Sequence, residues 1–261
     1  MKKFLIIQAI IFLIFPCSAI GATVEGGVTK SGAVTGSRVI DSTTKQPVAN
    51  ASIIFPQLQY KTFTNAEGAF QIGATINGPT VMSVEKEGYR QYSLTVNKDS
   101  ASKPLVVSIQ KSNADDISIA SEMMHLGDNT YSKNSANSGD FKISAAGPFY
   151  TKTFLMAATA LNRTNYLVIG SIIGIDTAMA RAMGQNNVKN SFSSPPEVFF
   201  NGNKIAEIHL NGDGQRIKIP QNLIKPGEKN EITLKTGKNL MQTAYTDYDD
   251  IEIMNISIFS E

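Results

Sequence analysis

The sequence predicts an all-β protein built as two β-sandwiches, and three observations carry the prediction. From Val34 to Ile109 short β-branched stretches alternate with turn signals, among them Gln46-Pro47, Gly78-Pro79 and Glu87-Gly88-Tyr89, the spacing of a small sandwich. From Ile117 onward a second set follows, with hairpin signals at Asn201-Gly202-Asn203 and Asn211-Gly212-Asp213-Gly214. The final run, Ile251–Ile258, is mostly apolar. It reads as a core strand that closes a sheet.

The chain of 261 residues suits one large domain or two ordinary ones. Its start predicts export. Lys2 and Lys3 precede an apolar run, Phe4–Phe15, and then small residues around Ser18-Ala19-Ile20-Gly21-Ala22. That is the pattern of a secretory signal peptide over residues 1–21, with cleavage after Ala19 or Gly21. No later stretch is long and apolar enough to cross a membrane, so a periplasmic or secreted protein is expected. Cys17, the only cysteine, is either discarded with this segment or lipidated. A lipid-modified cysteine wants small residues before it, and Phe15 and Pro16 stand there, so lipidation is the less favoured reading. A mature chain without cysteine has no disulfide and no cysteine-held zinc. Without Lys2 and Lys3, 22 basic residues balance 22 acidic ones, which argues against nucleic acid as a partner.

Residues 22–33, rich in Gly, Thr and Ser, read as a flexible leader. Strands are then expected at Val34–Asp41, Ala51–Phe55, Leu58–Thr64, Ala69–Ile72, Thr80–Val84, Arg90–Val96 and Leu105–Ile109, in an antiparallel arrangement. Asn65-Ala66-Glu67-Gly68 makes a hairpin turn in which Gly68 takes a positive φ. The ordered runs Gly36-Ser37-Arg38-Val39-Ile40-Asp41, Gln46-Pro47-Val48-Ala49-Asn50-Ala51, Thr64-Asn65-Ala66-Glu67-Gly68-Ala69-Phe70 and Lys86-Glu87-Gly88-Tyr89 resemble the carboxypeptidase regulatory-like domain. The resemblance covers 34–111 and implies a transthyretin-like Greek-key sandwich of seven strands, largely a scaffold or adhesive module. It implies no peptidase, since no zinc-bearing catalytic domain accompanies it.

Ser112-Asn113-Ala114-Asp115-Asp116 reads as the joint between domains, polar and without an apolar anchor. Residues 117–261 form the second β-rich unit. Strands are expected at Ile117–Met124, Tyr150–Thr159, Tyr166–Ile173, Glu197–Phe200, Ile205–Leu210, Arg216–Ile219 and Asn230–Thr236, with a helical turn at Thr177–Met183. Residues 125–140 form a long polar loop. In the last strand Ile251 and Ile253 share one phase, and Met254, Ile256 and Ile258 the other. Either both faces are buried or a β-bulge sits near Met254. The pieces Val198–Ile208, Ile219–Leu234 and Tyr248–Ile253 resemble the galactose-binding-like jelly rolls, the fold of many carbohydrate-binding modules.

That resemblance implies a first and a last strand lying side by side, often sharing a structural calcium ion. Here it points to Glu122, Asp128, Asp249 and Asp250 as ligands, with Asn129, Asn134 and Asp140 in the neighbouring loop. A hard cation wants six to eight oxygens of this kind. The competing reading is that these are solvated turn formers. Tyr131, Tyr245 and Tyr248, in rim loops among Asn and Asp, are the candidate platforms for a sugar ring, although the chain has no tryptophan. His125 and His209 lack any metal-ligand spacing and read as ordinary residues. No nucleophile elbow or phosphate loop is present. Asp249 and Asp250 are adjacent on a strand and point to opposite faces, so they cannot flank one glycosidic bond. The expectation is a non-catalytic binding protein for a polysaccharide or glycan. The alternative is a structural or assembly protein that binds envelope proteins through sheet edges.

Overall fold

The β-branched stretches fold as strands because each offers alternate apolar residues to a core. The computed structural model describes residues 36–137, 139, 141–189 and 192–261. The signal segment, Cys17, the leader and Asp140 lie outside the described residues.

The first sandwich contains β1 (Ser37–Asp41), β2 (Ser52–Phe55), β3 (Tyr60–Phe63), β4 (Ala69–Phe70), β5 (Thr80–Glu85), β6 (Tyr92–Val96) and β7 (Val106–Ile109). One sheet runs β4-β1-β7 and the other β3-β2-β5-β6. Val39, Ile53, Phe55, Met82, Val84, Val107 and Ile109 fill the space between them. The expected all-antiparallel pairing is corrected at one place. β1 and β7 are parallel, Val39 opposite Val107, because the first and last strands of the unit enter from the same end. Gly68 takes φ +70°, as the turn predicts. A Cβ there would also lie 2.6 Å from the Val39 carbonyl. Between β6 and β7 lies one helical turn, α1 (Lys98–Ala101), capped by Asn97.

The second sandwich contains β8 (Ile117–Ala120), β9 (Met124–Leu126), β10 (Phe149–Leu155), β11 (Asn165–Ile173), β12 (Glu197–Phe200), β13 (Asn203–Glu207), β14 (Gly212–Lys218), β15 (Lys229–Lys235) and β16 (Ile251–Ser260). Its sheets run β14-β11-β16-β8, with β9 also on β16, and β10-β15-β12-β13. With β8 and β9 taken as one interrupted first strand, this is the strand order of a jelly roll. The helical turn α2 (Ala178–Ala182) is capped by Thr177. β14 starts at Gly212, inside the expected turn, because Gly212 and Asp213 pair with Ile172 and Ser171 of β11.

Of the ten residues of β16, only Phe259 is not buried. One face lies in the jelly-roll core through Ile251, Ile253, Ile256 and Ile258. The other lies against the first sandwich, where Met254 packs with Val81 and Ile173. The reading of two buried faces therefore holds, and the pairing with β11 runs through Met254 without a bulge. Two faces are buried, and the phase slips at Asn255, which takes φ +58°. β11 slips in step: Leu167, Ile169 and Ile172 enter the core. The register places Gly170 opposite Asn255, and a Cβ on Gly170 would meet Asn255 Cβ at 2.8 Å and Ser93 Oγ at 2.4 Å.

The sheet β3-β2-β5-β6 thus packs face to face on the sheet holding β11 and β16. Between them Asn255 Nδ2 donates to Ser83 Oγ (3.0 Å), and the hydroxyls of Ser171 and Ser93 are hydrogen-bonded at 3.1 Å. Asp213 accepts from Thr95 N–H and Thr95 Oγ1, both at 2.8 Å. The joint is not the loose linker its composition suggests. Asp116 accepts two bonds from the buried Arg90 guanidinium, at 2.7 and 3.0 Å. That guanidinium also lies 4.3 Å from the Phe259 ring centroid.

Candidate functional site

The loop before β16 brings its acids to the rim, and the structure turns them inward. Asp247 is 2 % exposed, and Asp249 and Asp250 are 0 % exposed. Each holds a different piece of chain. Asp247 accepts from Ser135 Oγ (3.1 Å) and Asn239 Nδ2 (2.8 Å). Asp249 accepts from Ser193 Oγ (2.7 Å) and the Asp176 N–H (3.1 Å). Asp250 accepts from the Asn129 N–H (3.0 Å) and Asn137 Nδ2 (3.2 Å), and its own N–H donates to Asn137 Oδ1 (2.7 Å). A buried carboxylate needs such donors to offset its lost hydration.

Asp250 has a further partner. His125, on β9, places Nε2 2.7 Å from Asp250 Oδ1. Its Nδ1 contacts the Ile143 carbonyl. Burial works to lower the imidazole's pKa, but Asp250 and the carbonyl together hold it above the ordinary histidine range. With an acceptor at both nitrogens the ring is favoured as an imidazolium. The reading of His125 as an ordinary residue missed this pairing, since only the β9–β16 register, His125 opposite Glu252, brings the two together.

The four residues expected to share a cation do not converge. Glu122 is exposed, in the bend between β8 and β9. The register sets it about 15 Å along β16 from Asp250. Asp128 is spent on the Tyr248 N–H (2.8 Å) and the Thr130 N–H (3.0 Å), the turn-former's role. Asp250 is spent on His125, Asn129 and Asn137. Among the described residues no three His, Cys, Asp or Glu side chains form a metal-holding group. Asp249 differs from its neighbours. Its Oδ1 is buried without a hydrogen-bond partner. Burial and the nearby Asp176 charge push its carboxyl well above the usual carboxylate range. Asp176 is the partner the sequence did not reveal, being distant along the chain and unmarked by any motif.

The three tyrosines are also dispersed in role. Tyr245 is 54 % exposed. Tyr248 is half-buried, edge-on to Phe149 at 6.3 Å and under Lys238. Tyr131 is half-buried. None of them stands in the walls of the two clefts where the sandwiches meet.

A cavity does form where the sandwiches meet. It has a volume of 630 Å³ and is lined from the first sandwich by Gln57, Leu58, Asn77 and Thr80, and from the second by Phe141, Gln185, Asn211, Asp213 and Glu252. The Gln185 amide is fixed on the Asn211 backbone, accepting its N–H at 2.9 Å and donating to its carbonyl at 3.1 Å, and the Asn211 amide on the Ile175 backbone, accepting its N–H at 2.7 Å and donating to its carbonyl at 3.2 Å. Gln57 Oε1 accepts from the Val81 N–H (2.7 Å), so its amide donor faces Glu252 Oε2 (2.8 Å). Glu252 is 1 % exposed, and its Oε1 has no hydrogen-bond partner. Burial raises its carboxyl pKa, against the lowering effects of Gln57 and His125. A second cleft, of 640 Å³, lies on the joint side, but its Arg90 and Asp116 are already paired. A volume of this size lies in the range of small-molecule sites, about 300–1,000 Å³. Sequence reading missed the cleft because its walls come from segments of both sandwiches that carry no motif.

The family model of the CarboxypepD_reg-like domain matches residues 34–119, the whole first sandwich and most of β8. No curated protein matches. Among solved structures, the chain is similar to BcpA, the major pilin subunit of Bacillus cereus, at 13% identity and a TM-score of 0.22, covering 88% of this chain and 59% of the pilin. It is also similar to a protein of unknown function from Bacteroides fragilis, described as membrane-associated, at 11% identity and a TM-score of 0.23, covering 88% of this chain and 97% of that one. Likenesses this weak carry no functional argument. Among the described residues no helix is long and apolar enough to cross a membrane.

Proposed function

We propose that this chain is an exported, non-catalytic protein that binds carbohydrate, with the jelly roll in the role of a galactose-binding-like module. The observation that supports the reading is the cleft between the sandwiches, where the Phe141 ring stands among fixed amides and carboxylates. A sugar presents an apolar ring face and a rim of hydroxyls, and such a wall meets both. The site moves from the rim tyrosines to this cleft. A structural calcium ion belongs to the same reading and narrows to Asp176 and Asp249. The buried, unpartnered Asp249 Oδ1 beside a second carboxylate suits a hard cation. Those two residues, with Ser193 Oγ, would hold it and neutralise their repulsion.

A glycan array with the purified chain tests the proposal. Binding should be lost in Asn77→Trp, where an exposed cleft residue becomes a plug, and kept in Tyr245→Ala. Loss in Tyr245→Ala alone would return the site to the rim, and silence on every glycan would end the carbohydrate reading. The second reading, an envelope assembly protein, is favoured by the free edge of β10. There Phe149 and Leu155 are exposed, so a partner strand could pair. Crosslinking to a stable protein partner, with no glycan bound, would favour it.

A further inference from the structure

Within the cleft, one atom is out of balance. Glu252 is among the most buried acids of the chain. Its Oε2 is satisfied by Gln57, yet Oε1 has no hydrogen-bond partner. The charges nearby compensate it only in part: His125 lowers its pKa, but burial outweighs that effect. Asp213, also in the wall, has its carboxylate filled by Thr95 and by Ser171 Oγ at 2.7 Å. His125, behind Glu252 on β9, gives its Nε2 to Asp250. Among the described residues of the wall the remaining charged group is Lys142, exposed to solvent, where its field is screened. Among the described residues, the wall therefore holds one buried carboxylate oxygen without a hydrogen-bond partner, on a side chain fixed by the Gln57 amide.

Such an oxygen discriminates between ligands. A sugar hydroxyl would supply a donor but leave the charge. An ammonium supplies the donor and the charge together, in a site where both count for more than in water. An acidic sugar would bring a second negative charge beside the first and pay for it. We infer that the cleft selects an amino sugar, with Glu252 Oε1 receiving its ammonium group. This deepens the carbohydrate reading and rests on it. Burial, which raises the Glu252 pKa, favours the neutral carboxyl in the empty cleft, and a bound ammonium would draw it back to the carboxylate.

Calorimetric titration with three matched oligosaccharides tests the inference: a glucosamine oligomer, its neutral glucose counterpart and an acidic uronate oligomer, in mildly acidic buffer that keeps the amine protonated. The amino oligomer should bind about tenfold tighter than the neutral one, the gain of a charge-assisted over a neutral hydrogen bond. That margin should shrink on adding salt and fall below about twofold in Glu252→Gln. Equal or tighter binding of the neutral or acidic oligomer to the wild-type chain overturns the inference. If Asn77→Trp still blocks that binding, the carbohydrate reading survives. A margin unchanged in a folded Glu252→Gln removes Glu252 from the role. No binding of any of the three, together with a silent array, removes the carbohydrate reading itself. The wild-type comparison decides the ligand class whether or not the variant folds.

Discussion

At the scale of the residue, the acids before β16 show how one sequence pattern serves two different ends. Asp247 and Asp250 are satisfied acceptors that fasten loops. Asp249 is strained by charge. Burial and the Asp176 charge hold its folded pKa well above the usual carboxylate range, so between the ordinary and the raised value the folded state holds more protons than the unfolded chain. Stability then falls as pH rises through that window. Asp249→Asn removes the slope and the unsatisfied oxygen. In chelator at neutral pH the variant should be more stable than wild type by about 1–3 kcal/mol, read from urea unfolding. Added calcium should raise the melting temperature of wild type and not of the variant, because an ion that binds only the folded state stabilises it. A variant less stable than wild type in chelator, with no calcium response in either, would show that Asp249 is a fastener like its neighbours.

At the scale of the element, β16 serves the jelly-roll core on one face and the contact with the first sandwich on the other. Its isoleucines in the jelly-roll core contribute about 1.5–3 kcal/mol each by burial. Its opposite face carries Glu252, Met254, Asn255 and Ser257 to the first sandwich. The slip between the two phases is made possible by Asn255 in the left-handed region, a conformation that asparagine tolerates better than most residues. It also needs a glycine opposite. Gly170→Ala should cost about 1–3 kcal/mol as an overpacking change, with loss of the close approach to Ser93 and Asn255. A measured cost near zero would mean that the two sheets move apart freely. The periodicity of β16 was legible in the sequence as an anomaly. Its cause was not, because the second face is covered by strands from another sandwich.

At the scale of the whole molecule, the two sandwiches share a face rather than a tether. Ser83, Ser93, Thr95 and Gln57 meet Asn255, Ser171, Asp213 and Glu252 across it. Arg90 binds the joint at one end through Asp116. Removing one partner of a buried ion pair leaves the other uncompensated, so Arg90→Met should cost about 3–5 kcal/mol. It should also split a single calorimetric unfolding transition into two, as the sandwiches uncouple. Two transitions already present in wild type would show that the shared face contributes little.

By itself the sequence determined the all-β class, the order of the two sandwiches, the Gly68 turn and the helical turn beginning at Thr177. These rest on local propensity, periodicity and turn chemistry, which act within a few residues. It also singled out Tyr245, Tyr248, Asp249 and Asp250 before the last strand, though not their surroundings. Only the tertiary structure decided that the aspartates face inward, that Asp176 joins Asp249, that Asp116 fixes the joint, and that a cleft opens around Glu252. Each of those depends on pairing between segments far apart along the chain. Burial, the property that sets their charge and their partners, does not exist until the two sheets close on one another.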